Sequence, residues 1–207
     1  MAYTYLALGD SYTIGEQVPL YESFPYQTVQ LLRGAAVTGD PVPGIEVNAP
    51  EIIAKTGWTT DELAAAIREN RFLPRYDFVS LLIGVNNQYR ERSVENYEIE
   101  FQQLLQTAIR HAGGQPGRVF VLSIPDWGVT PFAEGRDRNR IASAINAYNT
   151  SCKKITETHH CNFTDITASQ RADGNEAAYL ATDGLHPSGK EYAKWALQLS
   201  KAIRNSL

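Results

Sequence analysis

A lone serine follows the first apolar run of the chain. Ser11 stands in the run LGDSYTIG, which begins at Leu8 and directly follows a β-like stretch. A serine hydroxyl is a useful nucleophile only when it is exposed, when a base lies within hydrogen-bond reach, and when donors face the developing oxyanion. A glycine-flanked turn between a strand and a helix exposes the hydroxyl, and the helix N-terminus offers backbone N–H groups. Gly-Asp-Ser is also a common turn sequence, so this run alone leaves the role of Ser11 open.

A base and an orienting carboxylate stand close together near the other end of the sequence. The run DGLHP extends from Asp183 to Pro187 and contains His186. One turn of the chain lets the Asp183 carboxylate hold the Nδ1–H of His186, so that Nε2 faces a nucleophile. Pro187 disfavours helical backbone at His186 and keeps that residue on a loop. The other histidines are predicted to be surface residues: His111, His159 and His160.

Two further positions could supply donors to an oxyanion. Gly57 stands in the run KTGWTT and permits the close approach of a backbone N–H to a ligand. Asn86 stands in the run IGVNN, where its side-chain amide could reach the same point. Glycine and asparagine also populate loops because they suit turns. Together with Ser11 and His186, however, they favour nucleophilic catalysis.

Alternating strand and helix patterns would bring these residues together. Strands are predicted at 4–8, 45–53 (interrupted by Pro50), 77–83, 118–124 and 161–166. Helices are predicted at 24–33, 60–70, 94–112 and 138–158, with a final helix after Ser188. This alternation predicts a five-stranded parallel sheet in a doubly wound, three-layer α/β/α sandwich. Ligands of such folds bind beyond the carboxyl ends of the strands, where Ser11, Gly57 and Asn86 all fall.

Two helices carry clear apolar stripes. In helix 94–112 the stripe consists of Tyr97, Phe101, Leu104, Leu105 and Ala108. In the final helix it consists of Tyr192, Ala196, Leu199 and Ile203. Ser188 and Glu191 are spaced as a capping box for that helix. The glycine-containing segments 39–44 and 113–117 are predicted to be surface turns.

Composition limits the class of partner and the number of domains. The length of 207 residues suits a single domain over 1–207, and a net charge of −4 leaves no basic stripe for nucleic acid. Cys152 and Cys161 are predicted to be buried thiols rather than a disulfide or a metal site. No apolar run has the length of a membrane span, and the chain opens without a signal-peptide pattern. We therefore expect a cytoplasmic protein, or an exported one whose leader has been removed.

The complete set of blocks, in this order from Gly9 to Pro187, resembles the SGNH hydrolases, the GDSL-type esterase and lipase family. The resemblance implies a flavodoxin-like sheet and carboxylic ester hydrolysis through an acyl-enzyme, with no metal or organic cofactor. It assigns Ser11 as nucleophile and Asp183 and His186 as acid and base. The implied oxyanion hole consists of the N–H groups of Ser11 and Gly57 and the amide of Asn86.

The sequence departs from the family pattern at two positions. Tyr12 replaces the usual leucine after the nucleophile, and Asn87 replaces the usual aspartate after Asn86. The first change is expected to alter the fit of a substrate, and the second to alter hydrogen bonding within its loop. Neither change touches a residue with a catalytic role in the family.

The sequence says less about the substrate than about the catalytic residues. Residues in or near the loops after the strands could form a rim around Ser11, although packing is a competing role: Tyr12, Trp58, Gln88, Tyr89, Trp127 and Phe132. No insertion is long enough for a substantial lid, which favours small or single-chain acyl groups, as in short-chain esters or lysophospholipids. A carbohydrate acetylesterase, a thioesterase and a catalytically silent binding protein remain alternatives. A flavodoxin-like cofactor domain is disfavoured because no glycine-rich dinucleotide fingerprint follows the first strand.

Overall fold

A five-stranded parallel sheet forms the centre of the fold. The structure, a computed structural model, describes residues 2–34 and 43–207. The strands are β1 (Tyr5–Gly9), β2 (Glu51–Ala54), β3 (Phe78–Leu82), β4 (Val119–Leu122) and β5 (Asn162–Thr164). Their order across the sheet is β2-β1-β3-β4-β5, and every neighbouring pair is parallel. This order is the doubly wound, flavodoxin-like arrangement, and it confirms the predicted fold class.

Helices cover both faces of the sheet. They are α1 (Ser11–Ile14), α2 (Phe24–Leu32), α3 (Thr60–Glu69), α4 (Val85–Tyr89), α5 (Val94–His111), α6 (Arg138–Thr158), α7 (Thr167–Asp173) and α8 (Gly189–Asn205). Helices α2 and α8 pack against each other, and α5 packs against α3 and α6. This pairing follows from right-handed crossovers in a sheet of this order. Both predicted apolar stripes, on α5 and α8, are buried.

The second strand is shorter than the sequence predicts. The sequence predicts this strand over 45–53, whereas β2 contains Glu51–Ala54. Pro50 lacks the N–H that a ladder needs, so the strand begins only after it. Upstream of Pro50, Val47 makes an isolated parallel bridge to Tyr3.

The predicted capping box of the last helix does not form. The Ser188 hydroxyl instead donates to the carbonyl of Ala178 at 2.8 Å. Glu191 is buried and accepts hydrogen bonds from the indole N–H of Trp195 and the hydroxyl of Ser169, each at 2.9 Å. A buried carboxylate needs such partners, and this need outweighs the local capping geometry. Glu191 therefore ties α8 to α7.

The reach-back contact of a capping box occurs at α3, where the sequence prediction contains none. Glu62 accepts a hydrogen bond from the backbone N–H of Thr59 at 2.9 Å. This contact fixes the start of α3 and, with it, the end of the loop that carries Gly57.

Other sequence predictions have mixed outcomes. Cys152 and Cys161 are free, buried thiols, as expected. Of the three histidines predicted at the surface, His160 is exposed and His159 is partly exposed, whereas His111 is half-buried, with its ring centre 4.4 Å from that of Phe72. The turn at 113–117 is confirmed, with positive φ at Gly113 and Gly114, whereas most of segment 39–44 lies outside the described residues. Within the described ranges, no helix is long and apolar enough to cross a membrane.

Candidate active site

Residues from near the two ends of the chain meet in a line of three polar side chains. Nε2 of His186 lies 3.0 Å from the Ser11 hydroxyl, although 175 positions separate the two residues in sequence. Nδ1 of His186 lies 2.6 Å from Oδ2 of Asp183. Ser11 begins α1, and the other two residues lie on the loop before α8. His186 is therefore within hydrogen-bond reach of both Ser11 and Asp183, as the sequence predicts.

The loop that carries His186 is fixed by its own backbone. Oδ1 of Asp183 accepts the N–H groups of Leu185 at 2.9 Å and His186 at 3.0 Å. Gly184 adopts φ +66°, which a residue with a side chain rarely adopts. Beyond this turn, the N–H of Ala181 donates to the carbonyl of His186 at 2.8 Å. One carboxylate therefore shapes the turn and orients the imidazole within it.

The ionisation state of Asp183 suits its role in orienting the His186 imidazole. Burial acts to raise the pKa of its carboxyl, but hydrogen bonds from the His186 ring and from two backbone N–H groups outweigh burial and lower the pKa. The carboxyl is therefore ionised at neutral pH. An ionised Asp183 holds the proton of His186 on Nδ1 and leaves Nε2 free to accept one.

The turn before Ser11 has no room for larger residues. A Cβ at Gly9 would lie 2.4 Å from the carbonyl oxygen of Leu82, so only glycine fits there. Asp10 caps α1 by accepting the N–H of Tyr12 at 3.1 Å. Burial raises the pKa of Asp10 to about 7, and its Oδ2 has no hydrogen-bond partner among the described residues.

The three predicted oxyanion donors face one cavity. Ser11, Gly57 and Asn86 all line it. Asn86 donates one amide hydrogen to the carbonyl of Trp58 at 2.9 Å, which leaves its second hydrogen available. Within the described part of the chain, the N–H groups of Ser11 and Gly57 have no hydrogen-bond acceptor, so both are available to a ligand.

Arg90 holds the peptide next to Gly57. Its Nη2 donates to the carbonyl of Gly57 at 2.7 Å. Gly57 has φ +84°, and a Cβ there would meet only Arg90, at 3.8 Å. The glycine is therefore required by its backbone conformation rather than by lack of space. No local sequence signal indicates this contact, because Arg90 lies 33 residues further along the chain.

The cavity around Ser11 has a volume of about 200 Å³ and a mostly apolar wall. Of the predicted rim residues, four line it: Tyr12, Tyr89, Trp127 and Phe132. Three residues outside the predicted rim also line it: Thr56, Val85 and Leu185. Two predicted rim residues do not. Trp58 packs against the hydrophobic core, and Gln88 accepts a hydrogen bond from the indole N–H of Trp127 at 2.7 Å and lines a neighbouring cavity.

Residues 7–194 match the family described as GDSL-like Lipase/Acylhydrolase. The chain belongs to this family. No curated protein matches the chain in sequence.

Solved structures with the same fold come from several hydrolases. The acetylxylan esterase Axe2 from Geobacillus stearothermophilus is 20% identical with a TM-score of 0.69, over 97% of this chain and 94% of that one. A lipase/acylhydrolase from Enterococcus faecalis is 19% identical with a TM-score of 0.67, over 99% and 96%. The psychrotrophic esterase EstA from Pseudoalteromonas sp. is 14% identical with a TM-score of 0.68, over 98% and 97%. At these identities the likeness is one of fold.

Both departures of this GDSL-like hydrolase from the family pattern have structural roles. Asn87 is fully buried, accepts the N–H of Thr60 at 3.1 Å and donates to its hydroxyl at 2.6 Å. A neutral amide can make both contacts, whereas an ionised aspartate could only accept. The ring centre of Tyr12 lies 5.6 Å from that of His186 and 6.0 Å from that of Trp195. Tyr12 therefore packs between the imidazole and a tryptophan of α8.

Proposed function

We propose that the chain, as one domain over residues 1–207, is a serine hydrolase that cleaves carboxylic esters of small acyl groups. The observation that carries the proposal is the contact of His186 with both Ser11 and Asp183, beside a mostly apolar cavity that Ser11 and His186 line. A histidine placed between a hydroxyl and a carboxylate can take the hydroxyl proton and keep its charge stabilised.

In the first stage, the Ser11 hydroxyl attacks the ester carbonyl while Nε2 of His186 accepts its proton. A bond forms between Oγ and the acyl carbon, and the carbonyl oxygen becomes an oxyanion. The N–H groups of Ser11 and Gly57 and the amide of Asn86 stabilise this charge. The bond from carbon to the alcohol oxygen then breaks, and the alcohol leaves with the proton from His186.

In the second stage, water attacks the acyl-enzyme. His186 takes a proton from the water, and the carboxylic acid leaves as the Ser11 hydroxyl recovers that proton. Asp183 remains ionised throughout and stabilises the imidazolium. His186 accepts and returns one proton in each stage, and the Ser11 hydroxyl is restored at the end, so the enzyme returns to its starting state.

The size of the cavity favours short acyl chains. Pockets for drug-sized ligands have about 300–1,000 Å³. The cavity here, at about 200 Å³, is smaller and mostly apolar. We therefore favour acetyl to butyryl esters over long-chain lipids. The fold does not select the alcohol, because an acetylxylan esterase and a lipase/acylhydrolase share it.

A fluorophosphonate probe and a set of 4-nitrophenyl esters test the proposal. We expect the probe to label the wild type and not Ser11→Ala. We also expect kcat/KM to be highest for acyl chains of two to four carbons. Ser143→Ala, on the exposed face of α6, serves as a matched control and should keep both labelling and hydrolysis. A folded wild type that is neither labelled nor active would instead be a binding protein.

A further inference from the structure

A second cavity adjoins the one that contains Ser11. It has a volume of about 510 Å³ and shares two of its wall residues, Tyr89 and Trp127, with the first cavity. An ester has an acyl half and an alcohol half, and the first cavity is too small for both halves of anything but a very small ester. The second cavity is the neighbouring space into which the alcohol half can extend.

A cation fixes the aromatic wall between the two cavities. The guanidinium of Arg136 lies 5.2 Å from the ring centres of Tyr89 and Trp127 and 5.6 Å from that of Phe132. Its Nη2 donates to the Tyr89 hydroxyl at 3.1 Å. Within the described residues, no carboxylate lies within ion-pair distance of Arg136. The stacking therefore holds the rings in place while other N–H donors of Arg136 remain available to a ligand.

Charged groups of both signs line the second cavity. Three arginines line it (Arg92, Arg136 and Arg140), as do three carboxylates (Glu91, Glu95 and Asp137). Arg140 pairs with Glu91 at 3.1 Å, and Arg92 pairs with Asp61 outside the cavity. Since Arg92 is neutralised outside the cavity, two arginines face three carboxylates across it, and the resulting small negative charge disfavours an anionic leaving group. Its planar donors and acceptors suit a ligand with several hydroxyl groups.

The aromatic residues narrow the class of ligand further. Trp127, Tyr89 and Tyr148 all line this cavity. Aromatic rings pack against apolar C–H faces, while guanidinium and carboxylate groups bind hydroxyls at the edges of the same molecule. A sugar ring presents both kinds of surface, whereas a simple alkyl alcohol presents only the apolar one.

We propose that the second cavity is a leaving-group subsite for a sugar, so that the enzyme removes short acyl groups from acylated carbohydrates. This inference rests on the proposed function. The acyl carbon passes to the Ser11 oxygen, the ester C–O bond breaks, and the sugar oxygen leaves with the proton from His186. The acyl group occupies the first cavity, and the sugar lies across the Tyr89–Trp127 pair.

Filling the second cavity tests the proposal. Ala144 lines it, whereas Ala147 is exposed on the same helix, α6, and does not. We compare Ala144→Trp with the control Ala147→Trp on glucose pentaacetate and 4-nitrophenyl acetate. Ala144→Trp should lower the ratio of kcat/KM for the sugar ester to that for the aryl ester by about tenfold or more, mainly through KM. Ala147→Trp should leave the ratio unchanged.

A second variant keeps the test decisive if Ala144→Trp does not fold. Arg136→Met removes donors at the wall and should lower the same ratio. Unchanged ratios in the folded variants would overturn the subsite while leaving the esterase proposal intact. A wild type that hydrolyses neither ester would overturn the esterase proposal itself, and the subsite with it.

Discussion

Replacing Asn86 with alanine tests its proposed role as an oxyanion donor, and the neighbouring Asn87 provides a structural comparison. The Asn86 side chain is partly exposed and, among the described residues, makes a single hydrogen bond, to the carbonyl of Trp58. Loss of one such bond costs about 0.5–1.5 kcal/mol of stability. Loss of one oxyanion donor lowers kcat by about 10²–10³, equivalent to about 2.7–4 kcal/mol in the transition state. The variant should therefore be folded and slow.

Asn87→Ala provides the matched comparison. Asn87 is fully buried and makes two hydrogen bonds to Thr60. Its replacement should cost about 1–3 kcal/mol of stability from those bonds, with a smaller effect on kcat. Asn86→Ala should therefore mainly lower kcat, and Asn87→Ala should mainly lower stability, although the two asparagines are adjacent in sequence.

The assay combines 4-nitrophenyl acetate kinetics with urea unfolding of both variants. For Asn86→Ala we expect a fall in kcat, with little change in KM, because the donor contacts charge that exists mainly in the transition state. A loss of less than tenfold in kcat, or a change confined to KM, would refute the assignment of Asn86. An equal loss of kcat in folded Asn87→Ala would also refute it, since the effect would then come from the loop as a whole.

Three further changes test the site. Ser11→Ala should lower kcat by about 10⁶ while the protein remains folded by circular dichroism. Arg90→Ala should lower kcat by about tenfold with an unchanged melting temperature, because the exposed guanidinium positions the Gly57 peptide, and Arg90→Lys should recover part of the loss. Because burial raises the pKa of Asp10 to about 7, its neutral carboxyl stabilises the fold most at acidic pH, and this contribution is lost as pH rises through 7. Urea midpoints at pH 5 and pH 8 should therefore differ less in Asp10→Asn than in the wild type.

The sheet and most helices could be predicted because local patterns determine them. Helix α6 begins and ends at the predicted residues, and the stripe on α5 is buried as predicted. The errors fall where tertiary contacts override a local pattern. Glu191 is spaced for a capping box, but in the folded chain its buried carboxylate bonds with Trp195 and Ser169. A sequence does not show which distant donors will surround such a group.

The polar site residues could be predicted because each belongs to a short block after a strand or before a helix. The residues around them could not. Arg90 and Arg136 act on Gly57 and on three aromatic rings through contacts made only in the folded chain. The position of Trp58 next to Gly57 predicts that it lies at the rim of the cavity. Its side chain instead packs against the hydrophobic core. The side on which a loop residue lies depends on the path of the loop, which its spacing does not determine.

The contact between residues 11 and 186 closes almost the whole chain into one loop. Under the proposed mechanism, a partly folded molecule with an intact sheet but an undocked C-terminal helix would hold its nucleophile without a base and would hydrolyse no ester. Recovery of hydrolysis during refolding would therefore time the arrival of the last helix rather than the formation of the strands.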